Sequence, residues 1–246
     1  ITYKGGYCAC DSSRAVVGEF AKLESRIDPS AEGIRAEGYR LQIDRRKILL
    51  TAIDSAGLFY GKQTLRQLAT AQGIPCVEVL DNPRFAYRGM HLDVSRHFFP
   101  KEQIFKILDE MAYYKLNKFH FHLCDNGGWR IQIDKYPLLT KLGSHRMEIE
   151  WLKWWDFGDK HYVPEDTPGA YGGYYTKEDI RQIVSYAAGR HIDVIPEIEF
   201  PAHSDEVFVG YPEFCCTGRP YTTGEFCVGN PATLRFAEDV LSLIHI

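Results

Sequence analysis

The chain has 246 residues and a formal net charge of -4, with 45% hydrophobic and 25% charged residues. This is the composition of a globular protein with one large domain or two smaller ones. Without a run of Lys and Arg, nucleic acid and anionic membranes are not expected as partners. No apolar run approaches the roughly 18 residues of a membrane span. The first ten residues, ITYKGGYCAC, show no signal peptide.

The first part of the chain predicts a small α+β domain, which we place at residues 1–83. The predicted elements are strands at 38–43, 47–53 and 76–80 and a helix at 55–68. A charged tetrad, Asp44 to Lys47, predicts the hairpin turn between the first two strands, and Ser55 is the predicted N-cap of the helix. The turn cluster Asp81-Asn82-Pro83 ends the domain.

From residue 84 onward, strand and helix patterns alternate. The predicted elements are strands at 89–94, 118–124 and 191–200 and helices at 100–116, 176–190 and 231–243. Thr176 and Asp179 form a predicted capping box at the start of the second of these helices. This alternation predicts a parallel sheet. A long aromatic segment, residues 125–175, follows the second strand, and a loop of that length usually carries function.

Polar residues stand where two of these strands end. The segments are FHFHLCDNGGW at 119–129 and VIPEIEFPAH at 194–203, and they place Asp125, Glu197, Glu199 and His203 at strand ends. Because catalytic groups of parallel α/β proteins lie at such ends, the pattern predicts an enzyme. His203 on a Pro-flanked loop favours a functional role, whereas Glu197 is interpreted as a structural residue that bonds within the interior. The two glycines after Asp125 indicate either a turn that a ligand approaches or a simple strand-closing turn.

His120 and His122 point to the same side of their strand. Such a pair is typical of amidohydrolase-type zinc enzymes, and the alternative is that both rings pack inside and bond neighbours. Further His and Asp ligands for a zinc site are not evident.

Seven cysteines cannot all pair internally, and one disulfide among Cys215, Cys216 and Cys227 is plausible. No CxxC pair is present, so a structural zinc site is not expected. The aromatic residues of 151–175 could stack on a sugar ring, although most are expected to pack the loop on itself.

Several motifs together resemble glycoside hydrolase family 20, the β-N-acetylhexosaminidases. They lie at 87–99 (YRGMHLDVSRHFF), 115–130, 172–176 (GGYYT) and 194–204 (VIPEIEFPAHS). Residues 38–69 resemble the small α+β domain that precedes the barrel in this family. The resemblance implies an α/β fold in which residues 84–246 form the first three strand–helix units of an incomplete (β/α)8 TIM barrel, since a whole barrel takes about 250 residues.

The same resemblance implies an exo-acting β-N-acetylhexosaminidase that releases terminal GlcNAc or GalNAc by retaining, substrate-assisted hydrolysis, without a metal or cofactor. Arg88 would bind hydroxyls of the terminal sugar, Asp125 would orient His203, and His203 would support the acid/base Glu. Arg88, Asp125 and His203 are expected at the carboxyl ends of adjacent parallel strands, facing one cleft. Glu199, where the family usually has Asp, would lie near this relay and contact substrate. Two further departures are Asn126-Gly127 for Asp-Gln and Ala202 for Gly.

The acid/base Asp-Glu pair of the family is expected after Ile246. The two Asp-Glu dipeptides of the chain, at 109–110 and 205–206, do not end a fourth strand. The chain by itself is therefore expected to be inactive.

Two alternatives remain open: a non-catalytic glycan-binding fragment, and a metal-dependent amidohydrolase that uses His120 and His122. The expected partner is a glycan with a terminal N-acetylhexosamine. Such glycans lie outside the cytoplasm, which predicts an extracytoplasmic location.

Overall fold

The computed structural model describes residues 1–8 and 23–244, with side chains up to residue 242. These residues form two compact units. The first consists of Ile1–Gly89, Ile107–Lys118 and Ala187–Ile192, and the second of Met90–Lys106, Phe119–Tyr186 and Asp193–Ile246. The domain boundary after residue 83 stays a prediction, because the first unit also takes in two later segments.

The first unit holds a five-stranded sheet with the order β1-β5-β3-β4-β2. Its elements are β1 (Thr2–Cys8), β2 (Leu23–Ile27), β3 (Tyr39–Ile43), β4 (Ile48–Ala52), α1 (Ser55–Leu68) and β5 (Ile74–Asp81). The hairpin of β3 and β4 agrees with the prediction, and β2 adds to β4 in parallel. The sequence patterns did not predict β1 and β2. Their side chains are mostly exposed, so the alternation of apolar and polar residues is weak there.

The N-cap of α1 is Asp54 and not Ser55. The Asp54 side chain accepts a hydrogen bond from the backbone N–H of Gly57 at 2.7 Å. Asp and Ser are equally good N-caps, so composition alone does not separate two such neighbours.

The second unit carries the sheet that matters for function, with the strand order β11-β7-β6 and a short strand β8 beside β7. The strands of this sheet are β6 (Gly89–Asp93), β7 (Lys118–Asp125), β8 (Gly128–Trp129) and β11 (Asp193–Ile198). A separate antiparallel pair consists of β9 (His145–Arg146) and β10 (Tyr171–Gly172). The Arg88 carbonyl accepts from Asn117 N–H, and Val94 N–H donates to the His122 carbonyl. The residue numbers of the paired residues therefore rise in the same direction along both strands, so β6 and β7 are parallel as predicted.

The helices are α2 (Lys101–Tyr113), α3 (Leu138–Gly143), α4 (Lys177–Ala188), α5 (Asp205–Phe208) and α6 (Pro231–Ile244). The predicted capping box of α4 is present: Asp179 N–H donates to Thr176 Oγ1 at 3.1 Å, and Thr176 N–H donates to Asp179 Oδ2 at 3.0 Å. None of the helices in the described part of the chain is long and apolar enough to cross a bilayer.

Candidate active site

The carboxyl end of β7 meets the loop that follows β11. Asp125 is the last residue of β7 and is 1% exposed. His203 lies shortly after β11 with a backbone φ of 56°, a left-handed conformation that costs a non-glycine residue about 1–2 kcal/mol. Its Nδ1 lies 3.1 Å from Asp125 Oδ1. The two side chains therefore meet, and their roles in catalysis stay predictions.

Asp125 is a buried carboxylate with a partner on every side. Oδ1 accepts from the backbone N–H of Asn126 at 2.7 Å in addition to contacting His203. Oδ2 lies 2.6 Å from Arg96 Nη2 and 3.2 Å from His122 Nε2. Burial acts to raise the pKa of Asp125, but His122, Arg96 and the other donors outweigh it and hold that pKa below its ordinary value. Asp125 is therefore ionised at neutral pH, and both of its oxygens accept hydrogen bonds.

The contact with Asp125 leaves one ring nitrogen of His203 free of it. Because the carboxylate contacts Nδ1, the Nε2 atom lies on the opposite side of the imidazole ring. The His203 side chain is 56% exposed, so that opposite side is accessible. A ring held in this way can exchange a proton with, or orient, a group that approaches from solvent.

Arg96 belongs to this site, and the sequence analysis missed it. It lies just after β6, where Asp93 Oδ1 accepts the backbone N–H groups of Ser95 and Arg96 and so shapes the turn. Its Nη1 contacts Asp93 Oδ2 at 2.7 Å, and its Nη2 contacts Asp125. The strand-end argument that selected Asp125 also applies to Arg96, since Arg96 follows the carboxyl end of a parallel strand.

Arg88 is not at this end of the sheet, so its predicted position beside Asp125 and His203 is wrong. It precedes β6, level with the residue before β7. Its Nη2 forms an ion pair with Glu37 at 2.6 Å, and its Nε and Nη1 donate to the carbonyls of Lys115 and Phe85. These bonds occupy the guanidinium within the first unit.

Glu199 is half-buried just beyond β11. One of its carboxylate oxygens lies within 4.8 Å of ligand atoms of His122 and Asp125. It therefore lies near the Asp125 relay, as the sequence predicts, and its contact with substrate stays a prediction.

The glycines after Asp125 serve backbone packing. A Cβ on Gly127 would lie 2.6 Å from both Arg96 Cα and the Ser95 carbonyl oxygen, and Gly128 has a φ of 146°. The backbone that approaches this turn is that of the turn after β6. The glycines thus bring Arg96 next to Asp125.

Two buried arginines donate hydrogen bonds to the turns that follow β6 and β7. Arg130 donates to the carbonyls of Val94, Ser95, Gly127, Ser144 and Gly173. Arg146 donates to the carbonyls of Gly127, Arg96, Glu148 and Ile149. Burial and the neighbouring Arg146 lower the pKa of Arg130 to about 10. Both turns of the site are therefore tied to the loop that follows β7.

Three histidines surround the carboxylate of Glu197. Its Oε2 lies 2.5 Å from His120 Nε2, 2.8 Å from His122 Nδ1 and 3.5 Å from His91 Nε2. This agrees with the interpretation of Glu197 as an internally bonded residue. Burial acts to raise the pKa of Glu197, but His122, His120 and His91 together lower it.

The distances within this cluster are those of close polar contacts and are shorter than those between the ligands of a zinc ion. Ligand atoms of His91, His122 and Glu197 lie within 4.8 Å of one another, as a metal site would require. However, tetrahedral zinc with ligands at about 2.05 Å separates those ligands by about 3.3 Å. The contacts of 2.5 and 2.8 Å are shorter than that and have the length of hydrogen bonds or close ion pairs.

Glu206 is a buried acid next to the site. It lies in α5, is 1% exposed, and neither carboxyl oxygen makes a well-formed hydrogen bond to another described residue. Burial raises its pKa well above the ordinary value, and the charges of Asp125 and Asp205 add to this. Burial therefore favours the protonated form of Glu206, in contrast to the ionised Asp125.

Glu206→Gln is expected to raise the thermal midpoint at pH 8 and to leave it nearly unchanged at pH 5. The folded-state pKa lies above the unfolded value, so the wild-type protein loses stability as the pH rises from about 4.5 toward the folded pKa. Gln cannot ionise and escapes this loss. Thermal unfolding across this pH range measures the effect, with the exposed Glu178→Gln as the control. An equal shift at both pH values would contradict it.

The aromatic loop, residues 151–175, mostly packs on itself. Trp154, Tyr162 and Tyr175 are buried, while Trp151 and Trp155 stack on each other with centroids 5.1 Å apart. The Arg96 guanidinium lies 5.7 Å from the Trp151 ring, which connects this loop to the site.

Cys215, Cys216 and Cys227 are free thiols in this structure. A hydrogen bond between Cys216 and Cys227 raises the pKa of Cys216. These two thiols are therefore neighbours, and Cys215 instead contacts the hydroxyls of Thr217 and Thr222.

Comparison with known proteins identifies the family. Residues 85–245 match the model of the catalytic domain of glycosyl hydrolase family 20, and residues 12–82 match domain 2 of the same family. The chain belongs to glycoside hydrolase family 20. The α/β fold, with a small N-terminal domain and part of a TIM-type barrel, agrees with this membership.

Curated family 20 relatives are longer than this chain. A beta-hexosaminidase of Porphyromonas gingivalis is 39% identical over 260 residues, which cover 94% of this chain and 31% of that protein. A beta-hexosaminidase of Akkermansia muciniphila is 37% identical and is covered to 41%. An N,N'-diacetylchitobiase of Vibrio harveyi is 38% identical over 72% of this chain and is covered to 20%. The chain thus spans less than half the length of these relatives.

Solved family 20 structures superpose well. A beta-N-acetylhexosaminidase from Bacteroides fragilis gives a TM-score of 0.75 at 32% identity, covering 91% of this chain and 42% of that one. An exo beta-N-acetylglucosaminidase from Vibrio harveyi, in complex with N-acetylglucosamine, gives 0.75 at 31% identity, covering 91% and 36%.

Proposed function

We propose that the complete protein containing this chain is an exo-β-N-acetylhexosaminidase that releases terminal GlcNAc or GalNAc from glycans. The observation that carries the proposal is the Asp125–His203 contact, at the carboxyl ends of strands of a family 20 catalytic domain. In this contact a buried, ionised carboxylate holds an exposed imidazole. Such a pair is suited to supporting an acid/base group.

Arg96, rather than Arg88, is the proposed contact for the terminal sugar. Its guanidinium is fixed by Asp93 and Asp125 and is 29% exposed, so part of its fork remains accessible. A planar fork of N–H donors fits a pair of adjacent hydroxyls better than a single ammonium does. Glu199, beside Asp125, is a second proposed substrate contact.

The proposed chemistry is substrate-assisted and retaining. The acetamido oxygen of the substrate attacks the anomeric carbon, and the bond to the leaving oxygen breaks as an acid donates a proton to it. This gives a cyclic oxazolinium ion. The same acid/base group, now deprotonated, accepts a proton from water as the water oxygen bonds to the anomeric carbon. The bond from that carbon to the acetamido oxygen breaks, and the configuration is retained overall. The acid/base pair is proposed to follow Ile246, because Asp109-Glu110 lies inside α2 and Glu206 is buried in α5.

The test uses the complete protein with 4-nitrophenyl N-acetyl-β-D-glucosaminide. Turnover is expected with this substrate and not with 4-nitrophenyl β-D-glucoside, which lacks the acetamido nucleophile. NMR of the first-formed sugar should show the β-anomer. Equal turnover of both substrates, or a first-formed α-anomer, would contradict the mechanism.

The 246-residue chain by itself is expected to show no hydrolysis above the buffer rate. Turnover by this chain would mean that its acid/base group lies within it, and Asp205 and Glu206 would then be the first residues to mutate. An extracytoplasmic location of the complete protein is proposed from the substrate class, and cell fractionation tests it.

A further inference from the structure

We propose that His122 is a doubly protonated bridge between Asp125 and Glu197, and that its charge positions Asp125 and, through it, His203. This inference deepens the proposed function and rests on it for its catalytic part. It assigns a positioning role to a residue whose pair with His120 first indicated a metal.

The two ring nitrogens of His122 face two different carboxylates. Nε2 lies 3.2 Å from Asp125 Oδ2, and Nδ1 lies 2.8 Å from Glu197 Oε2. The second contact lacks the angle of a well-formed hydrogen bond, so it is a close charge contact. A neutral imidazole has one N–H and would turn a lone pair toward one of the carboxylates. Only the imidazolium offers a proton to both.

The surroundings of the ring are mostly negative. His122 is 4% exposed, and it faces Asp93, Glu199 and both bridged carboxylates, with the ring of His91 5.5 Å away. The facing cation is Arg96. Its Nη1 lies 3.4 Å from Nε2, and this N–H can donate only to an unprotonated Nε2. Asp125 Oδ2 is nearer to Nε2, at 3.2 Å, and Nη1 also donates to Asp93 Oδ2 at 2.7 Å, which favours the protonated ring. Burial acts to lower the pKa of His122, but Asp125, Glu197 and Asp93 raise it to about 9.

The bridge gives Asp125 its orientation. Oδ2 is held by His122 and Arg96, which leaves Oδ1 directed at His203 Nδ1 and the Asn126 N–H. Removing one of the two cations on Oδ2 would allow the carboxylate to rotate. His203 would then lose its fixed partner, although its own contacts with solvent would not change.

The first experiment measures kinetics of His122→Gln in the complete protein. Gln fills similar space and stays neutral. We expect kcat to fall about 30- to 100-fold with KM within threefold, since a misplaced proton-transfer group affects the chemical step. The alkaline loss of activity near pH 9 should also disappear, which a purely structural role would not produce. His161→Gln is the control, because His161 is an exposed histidine beside Asp159 and makes no described contact with Asp125 or Glu197.

A second variant guards against misfolding of the first. Glu197→Gln keeps the His122 ring and removes one of its two anionic partners. It should move the alkaline limb of the kcat profile to lower pH. An unchanged limb, or a kcat of His122→Gln within threefold of wild type, would overturn the positioning role.

The third measurement does not depend on activity. In protein labelled with ¹⁵N-histidine, the His122 signal is the one that vanishes in His122→Gln. It should show both ring nitrogens protonated at pH 7.5, and a neutral ring would overturn the bridge. An inactive wild-type protein would contradict the proposed function, and this signal would then decide the charge of His122 by itself.

Discussion

Asp125→Asn in the complete protein is expected to lower kcat by about 10²- to 10³-fold while KM changes by no more than a few-fold. Asn has nearly the same shape, but it is neutral and replaces one acceptor oxygen with a donor. It therefore loses the charge that attracts Arg96 and His122, and it holds the His203 ring poorly. The loss affects orientation of the acid/base machinery more than sugar binding.

Steady-state kinetics with an aryl N-acetyl-β-D-glucosaminide, over a range of pH, measure this effect. Asp156→Asn is the matched control, because Asp156 is an exposed carboxylate on the aromatic loop. An Asp125→Asn enzyme with unchanged kcat would show that Asp125 only shapes the turn after β7. A large rise in KM with constant kcat would assign it to substrate binding instead.

The strand-end positions of Asp125 and His203 could be predicted from local sequence, and the family resemblance implied that the two residues pair. Each follows a short β-run that ends in polar and Gly or Pro residues, and parallel strands bring their carboxyl ends to one edge. The strand pattern, the parallel order and the capping box at Thr176 all rest on the same short-range signals. These signals survive in the folded chain because apolar periodicity and helix capping are short-range properties of the sequence.

The choice between Arg88 and Arg96 shows where a motif is ambiguous. Both arginines lie in the same 13-residue motif, one before β6 and one after it. Family resemblance at the level of the motif does not say which of them is at the catalytic edge. The strand direction does, because the residue that follows a parallel strand lies at its carboxyl end.

Other features depend on partners that are distant in sequence. Arg130 donates to backbone carbonyls of segments near residues 94, 127, 144 and 173. Every residue has such a carbonyl, so the residue types do not show which of them accept. Glu206 is the last residue of the polar tripeptide that follows His203. Its burial arises from packing against other loops. The charge on His122 likewise requires both Asp125 and Glu197, which come from different strands.

Arg130→Met is expected to destabilise the catalytic domain by more than about 3 kcal/mol. Met fills much of the same volume but donates no hydrogen bond, so five buried or partly buried carbonyls lose a charged donor together. Hydrogen bonds to charged groups contribute about 1.5–3 kcal/mol each, and a buried acceptor left without a partner adds a desolvation cost. Several such bonds act on the turns that carry Asp125 and Arg96, so activity should fall with stability.

Denaturant unfolding of the complete protein, followed at the transition of the catalytic domain, measures the loss. Arg181→Met is the control: Arg181 is an exposed helix residue whose contact with Glu178 is 3.7 Å, and a surface change of this kind stays within about 0.5 kcal/mol. Arg130→Lys should lie between wild type and Arg130→Met, because an ammonium keeps the charge and three donors but cannot reach all five carbonyls. If Arg130→Met were as stable as Arg181→Met, the carbonyls would have found other donors, and the frame of the site would not depend on this guanidinium.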